Sequence, residues 1–290
     1  MTSQTTIPNI LSAASPCDAL PLVFDSPHSG AAYPADFDYA CDFNTLEMTE
    51  DKYVDDLFSS APDQGAAFLC ALFPRSYIDV NRCEKDLDPE LFEEILPEEA
   101  VPSPRSQVGI GLIRRLIRPG MDLYDRPLSL DEIRQRIETY YRPYHDTLED
   151  LIETAYAAYG QVWHINCHSM PPQSAQFPGN AFKPAQIVLG DRDGTSCAPE
   201  LRETVRAYFK SKGYKVAIND PYKGVELVRR YADPARGRHS LQIEICKSLY
   251  LGDDLKTKSK NYPALKKDIE GFITHMADFV RSNLMPLAAD

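Results

Sequence analysis

Two histidines occupy matching settings in this chain. In LVFDSPHSG an apolar run passes into a turn built from Asp25, Ser26, Pro27 and Gly30, which leaves His28 at the carboxyl end of a predicted strand. VWHINCHSM does the same for His168. In open α/β sheets ligands gather outside the carboxyl ends of strands, so the two imidazoles could face one crevice. A single such histidine is more often a packed or solvent-facing residue, and it is the pair that raises a metal reading, because zinc favours imidazole combined with carboxylate.

A catalytic zinc needs a third protein ligand and an open position for water. MTEDKYVDDLF offers Asp51 on the first turn of a predicted helix, with Val54 and Phe58 at i+3 and i+7 placing it on the edge of the apolar stripe. Glu50, above Val54 and Leu57, is nearly as well placed. The structural alternative is that Thr49 caps the helix while Glu50 and Asp51 complement its dipole. SLQIEICKSL sets Glu244 inside a β-branched strand, where an ionisable group is costly unless paired or functional. Beside a metal, such a glutamate could be a general base toward water. FPRSYIDVNR gathers Arg75, Asp79, Asn81 and Arg82. The planar arginine fork can grip a carboxylate or polarise a carbonyl oxygen, and the alternative is an ion pair of Arg75 or Arg82 with Asp79.

The elements that must hold these residues read as α/β: short Val/Ile/Leu-rich runs alternate with amphipathic segments, without repeats or a Gly/Ser linker. Strands are expected at Leu20 to Phe24, Ala66 to Leu72, Tyr77 to Val80, Val162 to Cys167, Gln186 to Leu189, Lys215 to Ile218 and Leu241 to Ile245. Helices are expected at about Glu50 to Ser59, Ser129 to Tyr159, Pro199 to Lys212 and Tyr262 to Asn283, with Pro143 kinking or dividing the second. Pro97 to Pro104 reads as an exposed loop, and Gly224 to His239 as a mobile flap or a surface connection. One domain over residues 1–290 is expected.

The net charge of -12 disfavours nucleic acid, and no apolar run is long enough to cross a bilayer. The first twenty residues lack the basic and apolar regions of a secretory signal, so a cytoplasmic location is expected. Seven scattered cysteines without a CxxC pair argue against a disulfide framework or a zinc ribbon. On so acidic a protein, an anionic ligand would have to be captured by a few local arginines.

Taken in order, DSPHSG, YPADF, EDKYVDDLF, FPRSYIDVNR, NCHSMP and QIEI resemble the signatures of the N-formylglutamate amidohydrolase family, itself related to zinc carboxypeptidases and aspartoacylase-like deacylases. The resemblance implies a mixed, largely parallel central sheet flanked by helices, the zinc-carboxypeptidase-like (phosphorylase/hydrolase-like) fold. It implies zinc, or another divalent metal, on His28 and His168, with Asp51 as third ligand and Glu50 as the other candidate. The relatives use HxxE, whereas Ala31 stands three residues after His28 here. It further implies Glu244 as general base, Arg75 as the carbonyl-polarising arginine, and Asn81 with Arg82 as the pair that holds a substrate carboxylate. NDPYKG resembles a substrate loop with Asn219 and Tyr222 as contacts, although Val225 stands where a glycine is common. GDRDGTS reads as a capped strand-to-helix turn rather than a calcium loop.

The implied activity is zinc-dependent hydrolysis of N-formylglutamate, a small-molecule N-acyl amino acid, in histidine degradation. No nucleic acid or membrane partner is expected, and the oligomeric state stays open. The alternatives are a deacylase or carboxypeptidase acting on another N-acyl amino acid or small peptide, cysteine or serine catalysis, and a catalytically silent zinc- or carboxylate-binding module. Cys167 and His168 are strand neighbours and point to opposite faces, so they should not form a dyad.

Overall fold

Runs such as LVF, AFLCA and LQIEI cannot be left in water, and the chain buries them in one sheet between two layers of helix. The computed structural model describes residues 2–172 and 185–284. Its strands are β1 Thr2–Ile7, β2 Leu11–Pro16, β3 Leu22–Ser26, β4 Ala67–Ala71, β5 Leu116–Arg118, β6 Met121–Asp122, β7 Val162–Met170, β8 Ile187–Gly190, β9 Val216–Ile218 and β10 Arg238–Cys246. Its helices are α1 Phe43–Leu46, α2 Val54–Leu57, α3 Pro104–Gln107, α4 Leu130–Arg136, α5 Arg142–Tyr159, α6 Pro199–Ser211, α7 Glu226–Tyr231 and α8 Tyr262–Asn283. The main sheet runs β1-β2-β4-β3-β7-β10-β8-β9, while β5 and β6 pair separately. The central block β4-β3-β7-β10 is parallel, and so is β8 with β9; the β1–β2, β2–β4 and β10–β8 pairs are antiparallel. This is the mixed, largely parallel sheet that the sequence implies.

Side chains alternate across a strand, and here the alternation separates a dry face from a polar one. Trp163, Ile165 and Cys167 of β7 and Leu241, Ile243 and Ile245 of β10 join α6 and α8 in one hydrophobic cluster. On α8 the buried Leu265, Ile269, Phe272, Ile273, Met276 and Val280 recur at helical spacing. Each fully buried Leu, Ile or Phe adds roughly 1.5–3 kcal/mol. The opposite face carries His164, Asn166 and His168, in register with Ser240, Gln242 and Glu244. It is covered by α4, α5 and α7, whose Ile133, Tyr144, Leu148, Ile152, Leu227 and Tyr231 form the second cluster.

Several expected elements have different bounds. Tyr77 to Val80 is not a strand. Its residues are buried, as the apolar pattern requires, but Asp79 Oδ1 accepts the Asn81 N–H at 2.9 Å and the Tyr77 N–H is taken by Pro74 O at 3.0 Å, so local turns replace a ladder. The helix expected over Glu50 to Ser59 contracts to α2, because Tyr53 has φ 61 and the Asp51 N–H bonds His28 O instead of an intrahelical carbonyl. Thr49 donates its hydroxyl to Leu46 O and caps nothing. Ser129 closes a capping box with Glu132, and the long helix divides at a π-turn over Ile137–Tyr141, with Pro143 in the first turn of α5. The Gly224 to His239 stretch contains α7, with Leu227 and Val228 fully buried, so it is a packed connection and not a surface flap.

On α5, His145 donates from Nε2 to Val80 O at 2.9 Å and sets Nδ1 2.8 Å from the Tyr231 hydroxyl, which braces the Asp79 to Arg82 segment. Burial, aided by Arg230, lowers its pKa from 6.5 to about 3. As pH falls, an unfolded imidazole therefore takes a proton first, and stability is lost at about 1.4 kcal/mol per pH unit from this group between roughly pH 6.5 and pH 3. Urea denaturation between pH 6 and 5 should show a shallower pH slope for His145→Gln than for the parent. Identical slopes would contradict this assignment.

Candidate metal centre and active site

β3 lies between β4 and β7, so its carboxyl end opens into the middle of the sheet, and the turn that follows carries His28 there. Gly30 lets that turn press on the end of β4: a Cβ at this position would sit 2.3 Å from the Leu72 carbonyl carbon. The Asp51 N–H donates to His28 O at 2.9 Å, and Ser29 Oγ donates to Asp51 O at 3.0 Å, tying the second acidic loop to the first. From the end of β10, Lys247 Nζ donates to Glu50 O at 2.5 Å and Met48 O at 3.2 Å.

The result is a convergence of three buried side chains that could hold a metal ion. Asp51 Oδ2 lies 3.1 Å from His168 Nδ1 and 3.5 Å from His28 Nδ1, and one ligand atom from each residue lies within 4.8 Å of the others. Glu50 turns away: it accepts from the Tyr33 hydroxyl and from Lys52 Nζ at 2.9 Å. Of the two acids weighed from sequence, the fold brings Asp51 to the histidines, from a loop and not from a helix.

The far nitrogens of both rings are already engaged. His28 Nε2 stands 2.7 Å from Asp79 Oδ1, and His168 Nε2 stands 2.7 Å from Asn166 Oδ1. The Asn166 amide is oriented by its donation from Nδ2 to Asp25 Oδ1 at 2.8 Å. Both acceptors can only receive, so each ring carries its hydrogen on Nε2 and turns an Nδ1 lone pair toward Asp51. Burial, with the nearby His28 and Arg75, lowers the His168 pKa against the pull of Asp51 and keeps the ring neutral. Burial opposes ionisation of Asp51, but the adjacent His168 and His28 rings and the charge of Arg75 outweigh it and hold the carboxyl well below its usual range. His28 Nδ1 has no hydrogen-bond partner among the described residues. Three inward lone pairs repel unless a cation lies between them, and two imidazoles with a carboxylate are a donor set that suits zinc. The residues present fit a divalent metal.

The supports run back into the polar face of the sheet. Asp25, fully buried, accepts from the Tyr144 hydroxyl at 2.7 Å and faces His164 Nε2 at 2.9 Å, and His164 Nδ1 meets Ser240 Oγ at 2.8 Å. Asp79 binds His28 through Oδ1 and Arg75 Nη2 through Oδ2 at 2.8 Å. Burial resists ionisation of Asp79, yet Arg75, His28 and Arg82 hold its pKa well below the ordinary value. Arg75 is thus both ion-paired and turned toward the centre, with Nη1 3.9 Å from Asp51 Oδ1.

Glu244, in register with His168 on the neighbouring strand, lies on the same face. Its carboxylate accepts from Gln242 Nε2 at 2.8 Å. Burial and the negative charge of Asp51 raise its pKa well above the usual value, against Arg75 and Lys247, which makes it a stronger base than an exposed glutamate. A cavity of about 760 Å³ joins His28, Asp51, His168, Glu244 and Arg75 to Asn81, Arg82 and Tyr222. Its volume is typical of a small-molecule site. Six cationic side chains line it (Arg75, Arg82, Arg105, Arg114, Arg118 and Lys247), against the carboxylates of Asp51 and Glu244. The local arginines that an anionic ligand would require on an acidic protein are therefore present.

Asn219 does not line this cavity. It has φ 57 and its amide is spent on Asp191, accepting from the Asp191 N–H at 3.0 Å and donating to Asp191 Oδ1 at 2.6 Å. Asp191 also binds Arg202 at 2.8 Å, which makes GDRDGTS a braced turn. Gln242, Asn166, Asp25 and Arg114 were not singled out from sequence. A period-two polar pattern in HINCH and SLQIE could have flagged the first two; Arg114 gives no such signal. Cys167 is buried on the dry face, away from the histidines, and burial raises its thiol pKa.

This geometry has close counterparts. The sequence profile of the N-formylglutamate amidohydrolase family matches residues 20–251. An N-formylglutamate deformylase of Pseudomonas putida is 28% identical over 237 residues, covering 80% of this chain and 82% of the relative. One from Pseudomonas aeruginosa is 24% identical over 239 residues, covering 81% and 83%. The crystal structure of an N-formylglutamate amidohydrolase from Ralstonia eutropha superposes with a TM-score of 0.90 at 41% identity, covering 94% of this chain and 99% of that one. A protein from Agrobacterium tumefaciens shares the fold, with a TM-score of 0.62 at 20% identity. The chain belongs to the N-formylglutamate amidohydrolase family, whose members are hydrolases of an amide. No described helix is long and apolar enough to cross a membrane.

Because Asp79 fixes the His28 ring, Asp79→Asn should lower zinc affinity about 10- to 100-fold, the usual effect of removing such a partner. Competition against a chromogenic chelator would measure this, and unchanged affinity would contradict the role.

Proposed function

We propose that this family member hydrolyses N-formyl-L-glutamate to formate and L-glutamate, with zinc or another divalent ion held by His28, Asp51 and His168. The observation that carries this reading is the set of inward lone pairs on those residues, beside the basic carboxylate of Glu244 in a cation-lined cavity. The ion would supply Lewis acidity toward the formyl carbonyl and toward water.

The remaining work falls to the chain's own side chains. Glu244, with its raised pKa, accepts a proton from the attacking water and returns it to the departing amine. Arg75 is anchored by Asp79 and faces the same space, where its guanidinium meets the negative charge that develops on the carbonyl oxygen. Arg82 is fixed by Nε donating to Ile110 O at 3.1 Å and Nη1 donating to Asn81 O at 2.8 Å, and its Nη2, 3.8 Å from Asp79 Oδ2, is turned to meet a substrate carboxylate. Asn81 is fixed by accepting the Leu227 N–H at 3.0 Å and presents its amide beside His168. Tyr222 closes part of the wall. Histidine degradation, where formylglutamate arises, is the setting that the family resemblance supports.

The cavity volume also has room for acyl groups larger than formyl. A screen of formyl-, acetyl- and succinyl-amino acids should favour formyl, and preference for a bulky acyl group would select the wider deacylase reading. Glu244→Gln should reduce turnover of formylglutamate by roughly 10²- to 10³-fold or more while zinc stays bound. Formate release together with metal analysis checks this, and near-normal turnover would refute the assigned base. Chelator treatment should abolish activity and thiol alkylation should not; the opposite pattern would favour cysteine chemistry.

A further inference from the structure

Three of the cavity's six cations, Arg75, Arg82 and Lys247, have protein partners; of the other three, Arg105 and Arg118 are exposed to solvent and Arg114 is half-buried. Arg75 is held by Asp79, Arg82 by two carbonyl oxygens, and Lys247 by two more. The Arg114 guanidinium makes no hydrogen bond or ion pair among the described residues, and its Nε is buried without a partner. Its sequence neighbour Arg115 points elsewhere and binds Asp88 at 2.7 Å. Burial, with Arg75 and Arg82 close by, pulls the Arg114 pKa to about 9. Its side chain is half-buried, and a partly desolvated guanidinium without a counter-charge is costly.

The loop that carries Arg114 is tightly held. Leu112 N donates to Asp86 O at 3.0 Å, and Asp79 N donates to Leu112 O at 2.9 Å, so the loop is bonded to the segment that holds His28. Gly111 packs so closely that a Cβ would lie 2.6 Å from Ser106 Cβ and 2.7 Å from Asp86 O. A rigidly presented, unpaired donor fork suits a ligand carboxylate in two-point contact.

We propose that Arg114 is the specificity-determining residue that receives the second, side-chain carboxylate of the substrate and so selects dicarboxylic N-acyl amino acids. This rests on the N-acyl amino acid reading above, in which Arg82 and Asn81 take the carboxylate next to the scissile amide. With that group occupied, a substrate bearing one more negative charge finds Arg114, the cavity's one half-buried cation without a protein partner among the described residues.

Calorimetric binding of L-glutamate and of L-glutamine to the zinc-loaded protein tests this without turnover. The two ligands have nearly the same shape and differ in the charge that Arg114 would meet. The parent should prefer glutamate by about 10- to 100-fold, the range of a charge-assisted bond, and Arg114→Met should bring the ratio close to one. Since methionine removes a half-buried charge that has no protein partner, the ligand-free variant should melt no lower than the parent. A glutamate preference that survives in Arg114→Met, or a parent that does not discriminate, would overturn the assignment. A lowered melting temperature of the variant would mark a structural cation and overturn it as well. Absence of formate release from formylglutamate, with the binding preference intact and lost in the variant, would instead sink the proposed reaction and leave Arg114 as the dicarboxylate selector.

Discussion

The structure turns on a convergence that the protein's own groups cannot satisfy. Two imidazole Nδ1 atoms and one carboxylate oxygen point at each other in a buried place, and both ring N–H groups face outward onto Asp79 and Asn166. Like lone pairs at such distances repel, and low polarity makes that repulsion strong. The arrangement is stable only because each ring is braced from behind, and it becomes favourable when a cation takes up the three lone pairs.

The bracing accounts for much of the polar architecture. Alternation along β7 and β10 puts His164, Asn166 and His168 on one face with Ser240, Gln242 and Glu244, and there Ser240, His164, Asp25, Asn166 and His168 form a continuous hydrogen-bonded row. Burial works against a charge on Asp25, but His164, Asn166 and Tyr144 hold its pKa below normal. Buried networks of this kind are tolerated when every member is satisfied. On the second side, Asp79 links His28 to Arg75, so one carboxylate orients both the imidazole proposed to hold the ion and the guanidinium proposed to meet the carbonyl oxygen. The rest of the cavity differs in kind: it is cationic, on a protein with net charge -12, and the guanidinium groups of Arg105, Arg114 and Arg118 have no partner among the described residues.

The sequence carries the fold class and most of the residues that converge on the cavity. Apolar runs with turn signals locate β3, β7 and β10, and α8 matches the expected Tyr262 to Asn283. His28, His168 and Glu244 are legible because they interrupt apolar strands or stand at their ends. Strands β1 and β2 are missed because β1 is an exposed, Thr-rich hairpin arm without apolar periodicity. Tyr77 to Val80 misleads for the opposite reason: its residues are buried, but Asp79 serves its own backbone and its neighbours. The left-handed Tyr53, which frees Asp51 from a helix, has no propensity signal, since tertiary contacts impose it. Asn219 and Arg114 mark the limit of pattern reading. The side chain of one is consumed by Asp191 and that of the other is left unpaired, and neither outcome is visible without the fold.

The central claim is most directly tested by anomalous diffraction at the zinc edge from crystals soaked in zinc. The account predicts one strong peak about 2.0–2.2 Å from His28 Nδ1, His168 Nδ1 and an Asp51 carboxylate oxygen. A peak bonded through either Nε2 atom, or no density between these three residues, would contradict it.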